Sequence, residues 1–324
     1  MAKAIRMFET GGPEVLRWED VETPKPGPGE VLIEQKAIGL NFIDIYVRSG
    51  LYPVKLPYTP GGEGAGVVLE TGEGVEGFRP GDRVAYCVST GGGYSEQRLI
   101  DAAKLVHIPD NISFEQAAGM ILKGLTSWFL LRRTFEVKPG DTILYQAAAG
   151  GVGLILGQWA RHLGATGIGT AGSPEKMELA KAHGFNHVIN YREEDFVERV
   201  REITEGNMCD VVYDSVGKDT FPASLDCLKP LGMFVSFGQS SGVVPPFGIN
   251  LLQQKGSLFA TRPILFHYIA DREALEAAAR ELFEVVEKGI VKIVINQRYR
   301  LEDVGQAHED LAARRTSGTT VLIP

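Results

Sequence analysis

Thr142-Ile143-Leu144-Tyr145-Gln146-Ala147-Ala148-Ala149-Gly150-Gly151-Val152-Gly153 is the stretch on which the reading of this chain turns. Thr142–Gln146 is a short run of strand formers, and Gly151–His162 reads as a helix. A strand that passes through a glycine-rich turn straight into a helix offers free backbone N–H groups and the positive end of a helix dipole. That setting suits the pyrophosphate of a dinucleotide. Gly150 admits close approach of backbone to phosphate, and Gly153 lets the helix pack on the strand. Gly150, Gly151, Val152 and Gly153 are therefore candidate cofactor contacts. Ala148 stands where such a turn usually has its first glycine. A glycine cluster alone also fits a plain helix start; the strand before it and the alternation after it favour the dinucleotide.

Beyond the turn, Thr166–Thr170, His187–Asn190, Asp210–Asp214 and Met233–Phe237 read as strands. Helices are expected over Pro174–His183 and Asp195–Thr204, with another before Met233. This alternation predicts an α/β unit: a doubly wound parallel sheet with helices on both faces. In an NAD-binding unit a carboxylate near the end of the second strand takes the ribose hydroxyls. Here that end reads Gly169-Thr170-Ala171-Gly172-Ser173-Pro174-Glu175-Lys176, with Glu175 already inside the next helix. Gly172, Ser173 and Lys176 offer a hydroxyl and a cation to a 2′-phosphate, so NADPH is the expected cofactor. Ser173 equally fits an N-cap ahead of Pro174, and Lys176 an ordinary surface lysine. Tyr191 follows the third strand, at the adenosine end. Val216 after the fourth strand, and Gly238, Gln239, Ser240 and Ser241 after the fifth, stand at carboxyl ends of parallel strands, where ligands bind in open sheets. Arg262 and Arg314 are candidates for charge contacts with the cofactor, with surface ion pairing as the alternative for both.

Toward the N-terminus the pattern differs. Lys3–Phe8, Val31–Ile38, Ala65–Glu70, Arg83–Cys87 and Tyr94–Leu99 are short strand-like runs between Gly/Pro clusters, which suggests a small β-rich barrel. Ser113 can cap a following helix. Asp271–Lys288 reads as a long amphipathic helix, and Val291–Tyr299 and Thr319–Ile323 as strands that return to complete the first domain. The chain has 324 residues, enough for two domains. Its 33 basic and 41 acidic side chains give a net charge of −8, which disfavours nucleic acid as a partner. No apolar run is long enough for a membrane span, and no secretory signal is visible. Cys87, Cys209 and Cys227 are scattered, as in a reducing compartment, so a cytoplasmic protein is expected.

Six stretches carry a resemblance: Gly39-Leu40-Asn41-Phe42-Ile43-Asp44-Ile45-Tyr46, Arg48-Ser49-Gly50-Leu51-Tyr52, Pro60-Gly61-Gly62-Glu63-Gly64-Ala65-Gly66, Lys123-Gly124-Leu125-Thr126, the Ala147–Gly153 turn, and Phe237-Gly238-Gln239-Ser240-Ser241. Over its whole length the chain resembles the medium-chain dehydrogenase/reductase superfamily, and within it the zinc-independent quinone oxidoreductases of the zeta-crystallin type. The resemblance implies a Rossmann-type domain over residues 123–263. It also implies a GroES-like catalytic domain over 1–122, completed by 264–324.

The zinc enzymes of that superfamily have a cysteine where this chain has Asn41 and a histidine where it has Gly62, and their further ligand is missing near Lys123. No metal site is expected, and Glu63 reads as a buried structural acid. Without a metal to polarise an alcohol, reduction of an electron-poor acceptor, a quinone, becomes the expected reaction, with an enone or alkenal as the alternative. The resemblance places Asn41, Asp44, Tyr46 and Tyr52 along the nicotinamide and substrate pocket, with Thr126 near the nicotinamide. Asn41, Tyr46 and Tyr52 are the catalytic candidates, the tyrosines to stack on a flat ring or donate to its oxygen. Asn41 is also a cofactor contact, and Asp44 is read as an anionic orienting acceptor. Packing is the alternative role for both tyrosines. A homodimer is expected through the edge strand near Gly256–Thr261.

Overall fold

The computed structural model describes residues 1–324. The chain opens with β1 (Ala2–Arg6), β2 (Arg17–Val21), β3 (Glu30–Gly39), α1 (Phe42–Arg48), β4 (Glu63–Thr71), β5 (Arg83–Cys87), β6 (Gln97–Asp101), β7 (Leu105–His107) and α2 (Phe114–Phe129). Its middle holds β8 (Thr142–Tyr145), α3 (Gly151–His162), β9 (Thr166–Ala171), α4 (Pro174–Ala182), β10 (His187–Asn190), α5 (Phe196–Ile203), β11 (Cys209–Asp214), α6 (Ala223–Asp226), β12 (Leu228–Ser236), α7 (Asn250–Gln254), β13 (Phe259–Thr261) and α8 (Leu265–Tyr268). It closes with α9 (Arg272–Glu287), β14 (Ile295–Arg300), α10 (Val304–Ala312) and β15 (Thr319–Ile323).

Two compact units result. One comprises Met1–Leu125, Ile269–Glu287 and Ile293–Pro324, the other Thr126–Tyr268 and Lys288–Lys292. The sequence placed these boundaries at 122/123 and 263/264. The first falls inside the continuous helix α2, where no turn signal marks it. The second lies beyond α8, because the Tyr268 ring stacks on Phe129 at 4.9 Å and its hydroxyl bonds Thr134 at 3.0 Å.

In the second unit six parallel strands run in the order β10-β9-β8-β11-β12-β13, so the order reverses between β8 and β11. That reversal is the switch point at which open α/β sheets bind ligands. Leu144, Ile168, Val212 and Phe234 project from the strands into a core closed by Val200 of α5 and Leu225 of α6. The edge strand is shorter than Gly256–Thr261, because Gly256 and Ser257 have φ of 117° and 55°, outside the extended region.

In the first unit β14-β15-β3-β4-β5-β7 form one sheet, with β6 also paired to β3. β15 returns antiparallel to β3, pairing Leu322 with Ile38 and Val321 with Gly39. The strand expected at Tyr94–Leu99 begins at Gln97 instead. Gly93 and Tyr94 donate their N–H groups to Gly61 and Pro60, which holds this segment as a loop. Ile5, Ile38, Leu40, Leu322, Val304 and the whole Tyr94 side chain share one buried cluster.

Candidate functional site

The β8–α3 turn in the second unit is governed by backbone. Gly150 is the N-cap of α3, and no side chain caps the helix, so its first N–H groups keep their capacity for an external acceptor. A Cβ on Gly153 would lie 2.4 Å from the Ala148 carbonyl oxygen, so the close helix–strand packing needs a glycine there. The tight conformation falls one residue before the position marked by the missing glycine: Ala147 has φ of 69°. A left-handed alanine costs roughly 1–2 kcal/mol. It is held by the Thr170 hydroxyl, which accepts from its N–H at 3.1 Å, and by Ala148 N–H donating to the Thr170 carbonyl at 2.8 Å.

The end of β9 carries no carboxylate, and Ser173 caps α4 by accepting from Lys176 N–H at 3.4 Å. Ser173 also bonds the exposed Glu175 carboxylate, holding it below its usual range. Lys176 and Tyr191 come to the same end. A Cβ on Gly172 would stand 2.5 Å from the Tyr191 hydroxyl and 3.3 Å from Arg192 Nε. Arg192 is thus a second cation at this end that the sequence reading missed; its only signal was its place beside Tyr191.

The loops after β11 and β12 are bound together. Asp214 is fully buried and accepts from Val216 N–H (2.8 Å), Gly217 N–H (2.9 Å), Thr220 Oγ1 (2.7 Å) and Ser224 Oγ (2.8 Å). Ser241 Oγ donates to the Val216 carbonyl at 2.8 Å, and Ser240 N–H to Ser215 at 3.2 Å. Arg262 donates to the Gly238 carbonyl at 2.9 Å and lies near Gln239 Oε1 at 3.5 Å. Val216, Gly238, Gln239, Ser240, Ser241 and Arg262 therefore do meet at the carboxyl ends of the sheet. Thr126 is the first residue of this unit, whereas Arg314 is an exposed residue of the other.

In the first unit, side chains govern the start of α1. Asn41 is its N-cap, and Asp44 Oδ2 accepts from the Asn41 N–H at 2.9 Å. Glu63, fully buried, accepts from Asn41 Nδ2 (2.8 Å), Leu122 N–H (2.7 Å) and Lys123 Nζ (2.9 Å). Tyr46 and Tyr52 meet edge to face with centroids 5.4 Å apart, and Phe42 flanks Tyr46 at 6.1 Å. Asp44 departs from the sequence reading. It is buried, and burial above all raises its pKa to about 7, so near neutrality it is not simply an anion. The residues at the zinc positions do not fit that metal. Asn41 is bonded to Glu63, Gly62 has no side chain, Lys123 places a cation on Glu63, and no three His, Cys, Asp or Glu side chains converge.

A parallel dinucleotide-type sheet joined to a β-rich unit completed by the C-terminus is the plan of a medium-chain dehydrogenase or reductase. Comparison with known proteins agrees. Residues 27–110 match the family of alcohol dehydrogenase GroES-like domains, and residues 151–282 that of zinc-binding dehydrogenases. Quinone oxidoreductases of Pseudomonas aeruginosa and Salmonella typhimurium are 53% and 54% identical, with all of both chains covered. A 2-haloacrylate reductase of a Burkholderia species is 44% identical over all of this chain and 99% of its own. The solved structure of Escherichia coli quinone oxidoreductase complexed with NADPH superposes with a TM-score of 0.98 at 50% identity, covering 100% of each chain. The chain belongs to the quinone oxidoreductase family of the medium-chain dehydrogenases/reductases.

Proposed function

We propose that the protein reduces quinones with NADPH and without a metal. The carrying observation is the uncapped α3 terminus beside a β9 end where Lys176 and Arg192 offer cations and the nearest carboxylate, Glu175, is held by Ser173. Support comes from full-length relatives, half or more identical, named as quinone oxidoreductases. The cradle fits the cofactor, since no side chain caps α3 and a Cβ at Gly150 would meet only the Ala147 carbonyl oxygen, at 3.2 Å.

Bound NADPH supplies the hydride. The backbone of Ala147–Gly153 holds the pyrophosphate. Ser173, Lys176 and Arg192 hold the 2′-phosphate beside Tyr191. Thr126, Val216 and the Gly238–Ser241 loop, braced by Arg262, hold the nicotinamide end. On the first unit, Tyr46 and Tyr52 would offer aromatic faces to a flat acceptor and hydroxyl donors to an oxygen on which negative charge develops. Asn41, fixed by Glu63, aligns that edge. One proton from solvent then converts the hydroquinone anion to the hydroquinone.

Reduction of an activated double bond is the second reading, favoured by the 2-haloacrylate reductase relative. We also propose a cytoplasmic homodimer. β13 pairs with β12 alone and exposes Phe259, an edge that a second copy can extend. The three cysteines are free and buried, as suits a reducing compartment.

The test is anaerobic NADPH oxidation with 1,4-benzoquinone, 2-chloroacrylate, an aldehyde and an alcohol. Quinone should be the preferred acceptor. Preference for the acrylate selects the second reading, and oxidation of NADPH by none of them contradicts both.

A further inference from the structure

A row of buried polar side chains crosses the carboxyl ends of β9, β8 and β11, spanning the point where the strand order reverses. Asp214 and Ser224 are 0% exposed, and Gln146 and Thr170 are 1% exposed. Ser224 Oγ, on α6, donates to Asp214 Oδ2 at 2.8 Å. Gln146 Nε2 donates to Ser224 Oγ at 3.2 Å, and Thr170 Oγ1 donates to Gln146 Oε1 at 2.8 Å. The Thr170 oxygen in turn accepts from Ala147 N–H at 3.1 Å.

Every proton in this row points the same way, and Asp214 fixes the direction. Val216 and Gly217 N–H groups donate to its Oδ1, and the Thr220 and Ser224 hydroxyls to its Oδ2. A carboxylate so surrounded only accepts. The single proton of Ser224 is therefore committed to Asp214, which leaves the Ser224 oxygen to accept from the Gln146 amide. Gln146 then turns its carbonyl to Thr170. Thr170 gives its proton to Gln146 and accepts from Ala147. Reversing any one link sets two acceptors against each other in a buried place. Hydrogen bonds aligned head to tail polarise one another, and this row ends on a charge.

The two ends of the row are the two ends of the cofactor cradle. At one, Thr170 holds Ala147 left-handed at φ of 69°, just ahead of the Gly150–Gly153 turn. At the other, Asp214 Oδ1 takes the N–H groups of the loop after β11, and its main-chain carbonyl takes the Phe237 N–H, after β12, at 2.9 Å. We propose that Asp214, Ser224, Gln146 and Thr170 are positioning residues that lock the pyrophosphate turn to the nicotinamide-side loops, so that NADPH meets one pre-formed groove. This inference rests on reading this unit as the NADPH cradle. In a purely local arrangement each loop would answer only to the side chains that touch it. Ser224 separates the two cases, because its hydroxyl bonds Gln146 and Asp214 and neither loop.

The test removes that hydroxyl. In the protein without cofactor, Ser224→Ala should speed hydrogen exchange at the Ala147 amide about tenfold. It should weaken binding of 2′-phospho-ADP-ribose, an NADPH fragment without nicotinamide, by about the same factor. Thr170→Val cuts the last link and should do both as well; Thr170→Ser keeps the hydroxyl and should restore both. The double variant Thr170→Val, Ser224→Ala should be no worse than the more affected single, because either cut already opens the row. Loss of stability alone lowers the unfolding midpoint but leaves the fragment Kd of the folded protein unchanged. Should either single variant not fold, Gln146→Leu cuts the row between them and takes its place. An Ala147 exchange rate and a fragment Kd that Ser224→Ala leaves at wild type, or effects that multiply in the double variant, overturn the proposal. Wild-type protein that binds neither NADPH nor the fragment overturns the cofactor reading instead, and the Ala147 exchange still decides the lock.

Discussion

Two helices in this molecule each follow a strand, and their N-termini are handled in opposite ways. At α3 a glycine caps the helix, no side chain intervenes, and the first N–H groups remain for a ligand. At α1 Asp44 takes the Asn41 N–H, Glu63 takes the Asn41 amide, and Lys123 neutralises Glu63. The difference agrees with the roles proposed for the two ends. A bare terminus is itself an anion site. A sealed one gives up that capacity and becomes a rigid base from which side chains act.

The largest test of the contrast removes the cation beneath α1. Lys123 and Glu63 are 6% and 0% exposed, and breaking a buried pair leaves an uncompensated charge. Lys123→Met should cost about 3–5 kcal/mol in denaturant unfolding. An unchanged midpoint would mean that the ion pair does not support α1.

The same region should carry an acid-sensitive term that α3 lacks. With His308 lowered from 6.5 to about 3, the unfolded chain binds the extra proton between those values, so stability is lost as pH falls through them. Asp44, raised from 3.8 to about 7, acts oppositely: the native state binds the extra proton, and stability is lost as pH rises through that window. The two oppose each other in the wild type. Relative to it, His308→Gln should gain about 3 kcal/mol between pH 7 and pH 4. Equal pH dependence of the two proteins would show that His308 is not held neutral.

At α3 the sensitive quantity is space. Gly153→Val puts a side chain where a Cβ already lies 2.4 Å from backbone oxygen. It should destabilise by about 1–3 kcal/mol and weaken NADPH tenfold or more. The quinone KM should stay near wild type; loss of both would mean that the two termini are not independent.

How far the sequence could be read follows the same division. The α3 terminus is local: strand, turn and helix lie within consecutive residues, and Gly151–His162 was placed at both ends as observed. Even there the left-handed residue is Ala147 and not the marked Ala148, because Thr170, from the next strand, holds it. The α1 terminus is not local. Its glutamate and lysine come from β4 and α2, and no spacing in the sequence links them to Asn41. Asp44 therefore reads from the sequence as an anionic orienting acceptor, since nothing nearby in sequence reports its burial. Helix α10 itself went unread, though it supplies His308.

The account stands or falls on whether the two termini divide the labour between cofactor and acceptor. The direct measurement is NADPH Kd and quinone KM for Lys176→Ala beside the double variant Tyr46→Phe, Tyr52→Phe. Lys176→Ala should weaken NADPH roughly ten- to a hundredfold, leaving NADH affinity and quinone KM near wild type. The tyrosine variant should keep NADPH affinity and lose turnover with 1,4-quinones. Both variants moving the same constant, or Lys176→Ala weakening NADH as much as NADPH, would contradict that division.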